Sequence, residues 1–492
     1  MDGQRGDARM SYLGLDLGTS GLRALLVDDQ GAPIGSTERD YPLSHPHPGW
    51  SEQSPTDWIA ALDSAVEELR ATHPQFSALR GIGVAGQMHG ATLLDADDSV
   101  LRPCILWNDT RSHKEAAEMD ANPAFRKISG NIVFPGFTAP KLAWVKNNEP
   151  EIFAKVAKVL LPKDHLRLWL TGEHVSEMSD ASGTSWLDVE KRKWSSDLLA
   201  ATNLTEDHMP QLVEGSDASG DLRSKLASRW GMSKVVVAGG AGDNAASAIG
   251  LGVIAAGSAF VSLGTSGVLF ASNTSYMPKS DSAVHTFCHA VPTIWHQMGV
   301  FLSATDSLNW WANVCGKRPE DLTKELGSSV EKPSDLTFLP YLSGERTPHN
   351  DASIRGAFIG LDHAHDRKAM TRAVLEGVAF ALRDSLEALE STGTSFDRVM
   401  AVGGGTRSEH WLQIVANALN LPLDLPEDGD FGAAFGAARL GLLAAEGGNP
   451  EQVCSAPKIS QSFQPDSSMR DAFEAAYQRY HALYPALSGD QK

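Results

Sequence analysis

The sequence predicts an α/β protein in two halves of similar size, with a ligand held between them. Three observations carry this. The chain has 492 residues, and chains of that length divide into domains because single cores stop growing. The pentapeptide Leu17-Gly18-Thr19-Ser20-Gly21 recurs letter for letter as Leu263-Gly264-Thr265-Ser266-Gly267, so each half opens on the same turn, as expected of a duplicated architecture. Apolar strand-like runs end in glycine-rich polar turns at 86–90, 239–244 and 403–408, and strand ends are where α/β sheets bind ligands.

Each pentapeptide lies between two apolar runs, which predicts a hairpin. Its glycines let the backbone approach a ligand closely, and its hydroxyls and freed N–H groups can cradle phosphate oxygens. One copy alone is equally an ordinary hairpin turn; two copies point to one ligand shared between the halves. The copies are not equivalent, because Asp16 precedes the first and Ser262 the second.

Composition sets limits. Hydrophobic residues at 42% and charged residues at 21% describe a globular chain with enough apolar surface to fold. A formal net charge of −19 argues against nucleic acid as a partner. Cys104, Cys288, Cys315 and Cys454 show no CxxC spacing and read as reduced thiols of a cytoplasmic protein. Residues 1–9 read as a polar N-terminal extension ahead of Met10, without the apolar core of a signal peptide. The 35 residues from Asn244 to Pro278 carry no charge, but five glycines interrupt them, so they predict a buried helix start and a hairpin rather than a membrane span. No membrane partner is expected, and a homodimer is left open.

Along the chain, His45 and His47 sit among prolines and predict a surface loop, not a metal site. Ser54-Pro55-Thr56-Asp57 predicts a helix start with Ser54 as N-cap and Pro55 at the first position; Trp58, Leu62, Val66 and Leu69 follow at helical spacing. Leu79–Ala85 reads as a strand ending in Gln87-Met88-His89, where His89 is either a ligand-facing or a structural imidazole. Leu106–Arg111 is a second polar cluster at a strand end, and Lys141, Leu142 and Trp144 belong to a helix in an insertion. Ser179–Thr184 reads as a hydroxyl-rich loop. A strand at Val235–Ala238 runs through Gly239–Gly242 to Asp243-Asn244, where Asp243 is either a helix cap or a carboxylate aimed into a cleft. Small-residue helices at 245–248 and 432–438, the latter entered through Asp428-Gly429-Asp430, can pack closely, either across a hinge or within one domain. Gly403–Ser408 joins a strand to a helix start, a plausible phosphate-side site. No GxGxxG, GxxxxGK[ST] or HExxH pattern is present, so dinucleotide, P-loop and zinc-protease readings gain nothing.

Asp16-Leu17-Gly18-Thr19-Ser20, Gly239–Asn244, Gly264-Thr265-Ser266 and Gly403-Gly404-Gly405, in that order, resemble the FGGY carbohydrate kinases over essentially the whole chain. Gly86–Gly90, Leu106–Asp109, Leu161-Pro162-Lys163-Asp164 and Tyr341–Pro348 are similar to the branch of that family that phosphorylates D-xylulose. The segment from Gly136 to Asn148 fits a family signature fully; the one from Gly356 to Glu376 departs at Ala369, where the family prefers a polar residue, on a helix away from the loops.

The resemblance implies two ribonuclease H-like domains of the actin, hexokinase and heat-shock ATPase type with a central cleft. It implies a sugar-binding domain over residues 10–245 and an ATP-binding domain over 246–492. It implies ATP and D-xylulose as substrates, Mg²⁺ as cofactor, and transfer of the γ-phosphoryl group to the sugar; the alternative is another sugar or polyol kinase of the family, acting on ribulose, fuculose, gluconate or glycerol. Asp243 would be the general base and Asp16 the Mg²⁺ carboxylate, acting through water. Met88, His89 and Asn244 would hold the sugar, and Thr19, Ser20, Gly264, Thr265, Gly404 and Gly405 the nucleotide. A non-enzymatic ATP-driven module would have no need of the Gln87–His89 strand end or the Asp243 turn. A sugar-responsive DNA-binding regulator would need a basic segment that the charge does not supply.

Overall fold

The computed structural model describes residues 10–427 and 432–489; the extension over 1–9 and the helix entry at Asp428-Gly429-Asp430 lie outside the described residues. The first pentapeptide turns β1 (Ser11–Leu17) into β2 (Gly21–Asp28), paired antiparallel from Ser11–Asp28 to Leu17–Leu22. Gly18 N donates to Gly21 O at 3.0 Å to close the turn. β3 (Pro33–Asp40) forms the edge, and α1 (Pro55–Thr72) returns across the sheet, burying Trp58, Leu62, Val66 and Leu69. Ser54 stands at its N-cap, but its hydroxyl makes no cap bond; its backbone carbonyl accepts from Asp57 N at 3.0 Å instead.

β4 (Leu79–Gly86) lies parallel to β1, which sets Gly86 beside Leu17. An insertion follows, carrying α2 (Thr138–Asn148) and α3 (Pro162–Thr171), part of it packed on an apolar cluster of its own. β5 (Ala218–Asp221), β6 (Val236–Ala238) and β7 (Ala241–Gly242) complete the seven-stranded sheet, in the order β5-β6-β4-β1-β2-β3 with β7 beside the end of β4. α4 (Asp243–Leu251) leaves from that end. Parallel pairing of β1, β4 and β7 therefore delivers Asp16, Met88, His89 and Asp243 to one edge of one sheet.

The second half repeats the plan. β8 (Ala259–Leu263) and β9 (Gly267–Asn273) form the second pentapeptide hairpin. β10 (His285–Cys288) and β11 (Trp295–Phe301) extend the sheet, and α5 (Thr305–Cys315) and α6 (Arg367–Glu390) cover it. β12 (Val399–Val402) runs parallel to β8 and brings Gly403 alongside Leu263. α7 (Glu409–Leu419) and β13 (Leu423–Pro426) follow. The uncharged stretch from Asn244 to Pro278 is thus α4 and a hairpin, and no helix among the described residues is long and apolar enough to cross a membrane.

α8 (Gly432–Glu446) packs against the first sheet and against α4, and the sheet of seven strands in the second half ends with β14 (Ile459–Phe463). Backbone meets backbone here. A Cβ on Gly83 would stand 1.8 Å from Ala437 O, and one on Gly436 would stand 1.7 Å from Ala246 O. Small residues permit this approach, so α8 is the wedge between the first sheet and the helix that starts at Asp243.

Candidate active site

Asp243 is the first residue of α4, at the end of a turn that only glycines can make: Gly240 has φ +80°, and a Cβ there would clash with Val84 O. One carboxylate oxygen of Asp243, Oδ1, accepts from Asn244 N at 2.7 Å and from Asn244 Nδ2 at 3.0 Å. The other makes no hydrogen bond among the described residues. Burial pushes the Asp243 carboxyl up to about 6, against the pull of those two bonds. Burial, with Asp243 as the next cause, pushes Asp16 up to about 7, while Arg23 pulls it down. The two carboxylates therefore feel each other across the edge of the sheet.

Met88 and His89 flank this pair. Met88 is buried against Phe134, Phe137 and Phe287, and Gly242 leaves room for its sulfur. His89 takes a positive φ of 70°. Its carbonyl accepts from Lys141 Nζ at 2.7 Å and from Thr138 Oγ1 at 3.2 Å, which holds the strained residue to α2. The ring stacks on Phe137 at 4.6 Å, and Nδ1 lies 2.9 Å from Gly183 O. Burial, with the nearby Lys141 ammonium, lowers the imidazole to about 3, so it is neutral. A carbonyl partner assigns the proton to Nδ1 and leaves Nε2 as an acceptor.

The first hairpin is braced by three side chains of the same half. Thr19 Oγ1 donates to Gln87 Oε1 at 3.3 Å and accepts from Trp107 Nε1 at 3.0 Å, while Gln53 Nε2 donates to Thr19 O at 2.6 Å. The Thr19 hydroxyl is thus engaged by protein, and the backbone N–H groups of Thr19 and Ser20 make no hydrogen bond among the described residues. Trp107 is 42% exposed although its indole nitrogen is held by Thr19; the strand-end polar cluster marked it, but nothing in the spacing singled it out. Asp109 and Arg111 of that cluster are buried and bonded to each other.

The second hairpin is tied to a helix start. Gly264 O accepts from Thr305 N at 2.9 Å and from Thr305 Oγ1 at 2.8 Å, and Thr265 O accepts from Ala304 N at 2.8 Å. The Thr265 side chain is exposed. Gly403, with φ +92°, and Gly405 lie against Leu263. Beside them opens a cleft of about 320 Å³ lined by Thr305, Asn309, Gly404, Gly405, Arg407 and Ser408. Of these only the glycines stand out in the sequence; Thr305 and Asn309 are one turn apart on α5, a helix with no motif of its own.

Ser179–Thr184 is not a loop. It is a helical turn, Met178–Ala181, followed by a 3-10 turn, Ser182–Thr184, and all of it is buried. Its hydroxyls bond within the protein, and Ser179 accepts from Gly242 N at 3.1 Å. The hydroxyls of Ser179, Ser182 and Thr184 donate to Glu177, Met178 and Ala181 close by, and those of Ser179 and Ser182 accept from Gly242 N and Cys288 N far along the chain. His45 and His47 do lie in an exposed loop, and all four cysteines are free.

Comparison with known proteins follows the same lines. The model of the FGGY family of carbohydrate kinases, N-terminal domain, matches residues 11–250, and that of its C-terminal domain matches residues 259–445. The xylulose kinase of Escherichia coli (strain K12) is 46% identical over 482 residues, 97% of this chain and 99% of that protein. The crystal structure of a "xyloylose kinase" from Brucella ovis is 63% identical, covers 97% of this chain and 99% of its own, and superposes with a TM-score of 0.96. The xylulose kinase structure from Rhodospirillum rubrum is 30% identical, covers 97% of this chain and 99% of its own, and gives a TM-score of 0.90.

Proposed function

The chain belongs to the FGGY family of carbohydrate kinases, and from that premise we propose that it transfers the γ-phosphoryl group of ATP to the 5-hydroxyl of D-xylulose with Asp243 as general base. One observation carries the assignment of the base. Asp243 has one oxygen held by Asn244 and the other unbonded, on the sheet edge it shares with Asp16 and His89. As the sugar oxygen bonds to the γ-phosphorus, its proton passes to that free oxygen and the bond to the bridging oxygen of ADP breaks.

The sugar binds on the first-half side. His89 Nε2 accepts a hydroxyl proton, Met88 and Phe137 give an apolar face, and Asn244, whose Nδ2 is spent on Asp243, offers its Oδ1. The two hairpins and Gly404-Gly405 take the nucleotide, with the phosphates on the free N–H groups of Thr19 and Ser20 and the rest of ATP toward the 320 Å³ cleft. This is the sense in which residues 10–245 form a sugar-binding domain and 246–492 an ATP-binding one, with α8 returning to the first sheet.

A divalent metal accompanies ATP in kinases, and the site suits one. Asp16, a buried carboxyl raised by burial and by nearby Asp243, supplies the hard oxygen donors such an ion prefers. No group of three or more His, Cys, Asp or Glu among the described residues could hold a metal alone, as fits Mg²⁺ held by Asp16 through water and by substrate phosphates. Bound there, Mg²⁺ offsets charge on the phosphates. Free cysteines support a cytoplasmic setting.

The test is ADP release with ATP, Mg²⁺ and a panel of xylulose, ribulose, fuculose, gluconate and glycerol. D-Xylulose is expected to give the highest kcat/KM; glycerol as best substrate would overturn the pentulose assignment.

A further inference from the structure

Behind Asp243 lies a knot of charge that the chemistry above does not use. Lys163, Asp164 and Arg167 come from α3, and Glu177 and Asp180 from the turn after it; each is no more than 1% exposed. Lys163 Nζ donates to Asp164 Oδ1 at 2.7 Å and lies 3.3 Å from Glu177 Oε1. Arg167 Nη2 donates to the same Asp164 oxygen at 2.6 Å, and Ser176 Oγ donates to the other at 2.7 Å.

Two of its connections reach the turn that carries Asp243. Arg167 Nη1 donates to Gly239 O at 2.6 Å. Ser179 Oγ donates to Glu177 Oε1 at 3.0 Å and accepts from Gly242 N at 3.1 Å. We propose that this buried ionic cluster is a positioning device that clamps both ends of the Gly239–Gly242 turn and so fixes the Asp243 carboxylate for proton transfer; the proposal rests on the reading of Asp243 as the base.

Stability alone does not account for the cluster. Buried ion pairs are costly to desolvate, and apolar replacements of the same shape often serve the fold as well or better. The turn, however, is rich in glycine, and glycine backbones have the most conformational freedom to lose. It cannot stiffen itself, and the catalytic side chain hangs from its last bond. Asp180 fits the same purpose. Its two oxygens make no hydrogen bond although it is buried, and burial pushes its carboxyl well above the ordinary range against the pull of Lys163. Lys163 Nζ also lies 3.5 Å from Asp180 Oδ2, so the one ammonium ties Asp164, Glu177 and Asp180 together behind the turn.

Ser179→Ala cuts the link to Gly242 while removing one atom. Expected is a kcat lower by about ten- to a hundredfold, as for a slightly misplaced catalytic group, with KM for ATP unchanged and the protein folded at the assay temperature by its melting curve. In an Asp243→Asn background the same substitution is expected to add no further loss, because the group it positions is gone. Undiminished kcat in Ser179→Ala, or an equal fractional loss in both backgrounds, would overturn the positioning role while leaving Asp243 as base. Full activity of Asp243→Asn itself would instead overturn the base. Should Ser179→Ala fail to fold, Glu177→Gln weakens the same chain and carries the same expectations.

Discussion

Asn244 gives both its backbone nitrogen and its side-chain amide to one oxygen of Asp243, at 2.7 and 3.0 Å. A carboxylate gripped in this way is oriented rather than neutralised. Its second oxygen makes no hydrogen bond among the described residues, and burial keeps the group basic enough to accept a proton near neutral pH.

That basicity predicts a pH profile. The Asp243 carboxyl stands at about 6 in the free protein, above the usual aspartate range because burial disfavours the charge. Below that pH it carries a proton and cannot accept another. So kcat/KM for the sugar should rise about tenfold per unit up to pH 6 and level off above it, at saturating Mg²⁺. Steady-state assays from pH 5 to 8 check this, and a flat profile would count against the assignment.

Burial, and after it the neighbouring Asp243, pushes the Asp16 carboxyl up to about 7. Replacing it by Asn should raise the Mg²⁺ concentration for half-maximal rate by about 10–100-fold, with partial recovery of rate at high Mg²⁺. Titrating Mg²⁺ at fixed ATP and sugar separates this from a loss that metal cannot restore.

The parts legible in the sequence were those whose chemistry is local. A pentapeptide between apolar runs makes a hairpin from its own glycines, so both copies and the Asp16/Ser262 difference could be read directly. Gly239–Asn244 likewise encodes its own turn. What could not be read depends on partners far along the chain. Ser179–Thr184 reads as loop because Ser179 and Ser182 meet Gly242 N and Cys288 N only after folding. α8 belongs to the second half by sequence, yet it packs on the first sheet because Gly14 and Gly83 admit it. The Asn244 Nδ2 bond to Asp243 Oδ1 is likewise seen only in the fold.

His89 is neutral, stacked on Phe137 and tied by Nδ1 to Gly183 O. His89→Ala removes one neutral hydrogen bond to the sugar, worth about 0.5–1.5 kcal/mol, so KM for D-xylulose should rise roughly 2- to 12-fold. KM for ATP should stay put, and initial rates over both substrate ranges distinguish the two.

Gly436 and Gly404 should answer an added methyl in opposite ways. A Cβ on Gly436 would meet Ala246 O at 1.7 Å, whereas Gly404 has nothing within 4 Å. Gly436→Ala should destabilise the protein by about 1–3 kcal/mol or more through overpacking, seen as a lower Tm by calorimetry. Gly404→Ala should leave Tm unchanged and raise KM for ATP, since the space it fills is the nucleotide's.

The most direct measurement is ADP release by Asp243→Asn with ATP, Mg²⁺ and D-xylulose, beside a melting curve of the same protein. The amide keeps the shape of the side chain and removes the base. The account predicts an intact fold with sugar-dependent turnover lower by about 10²–10⁴-fold; turnover near that of the unaltered protein would contradict it.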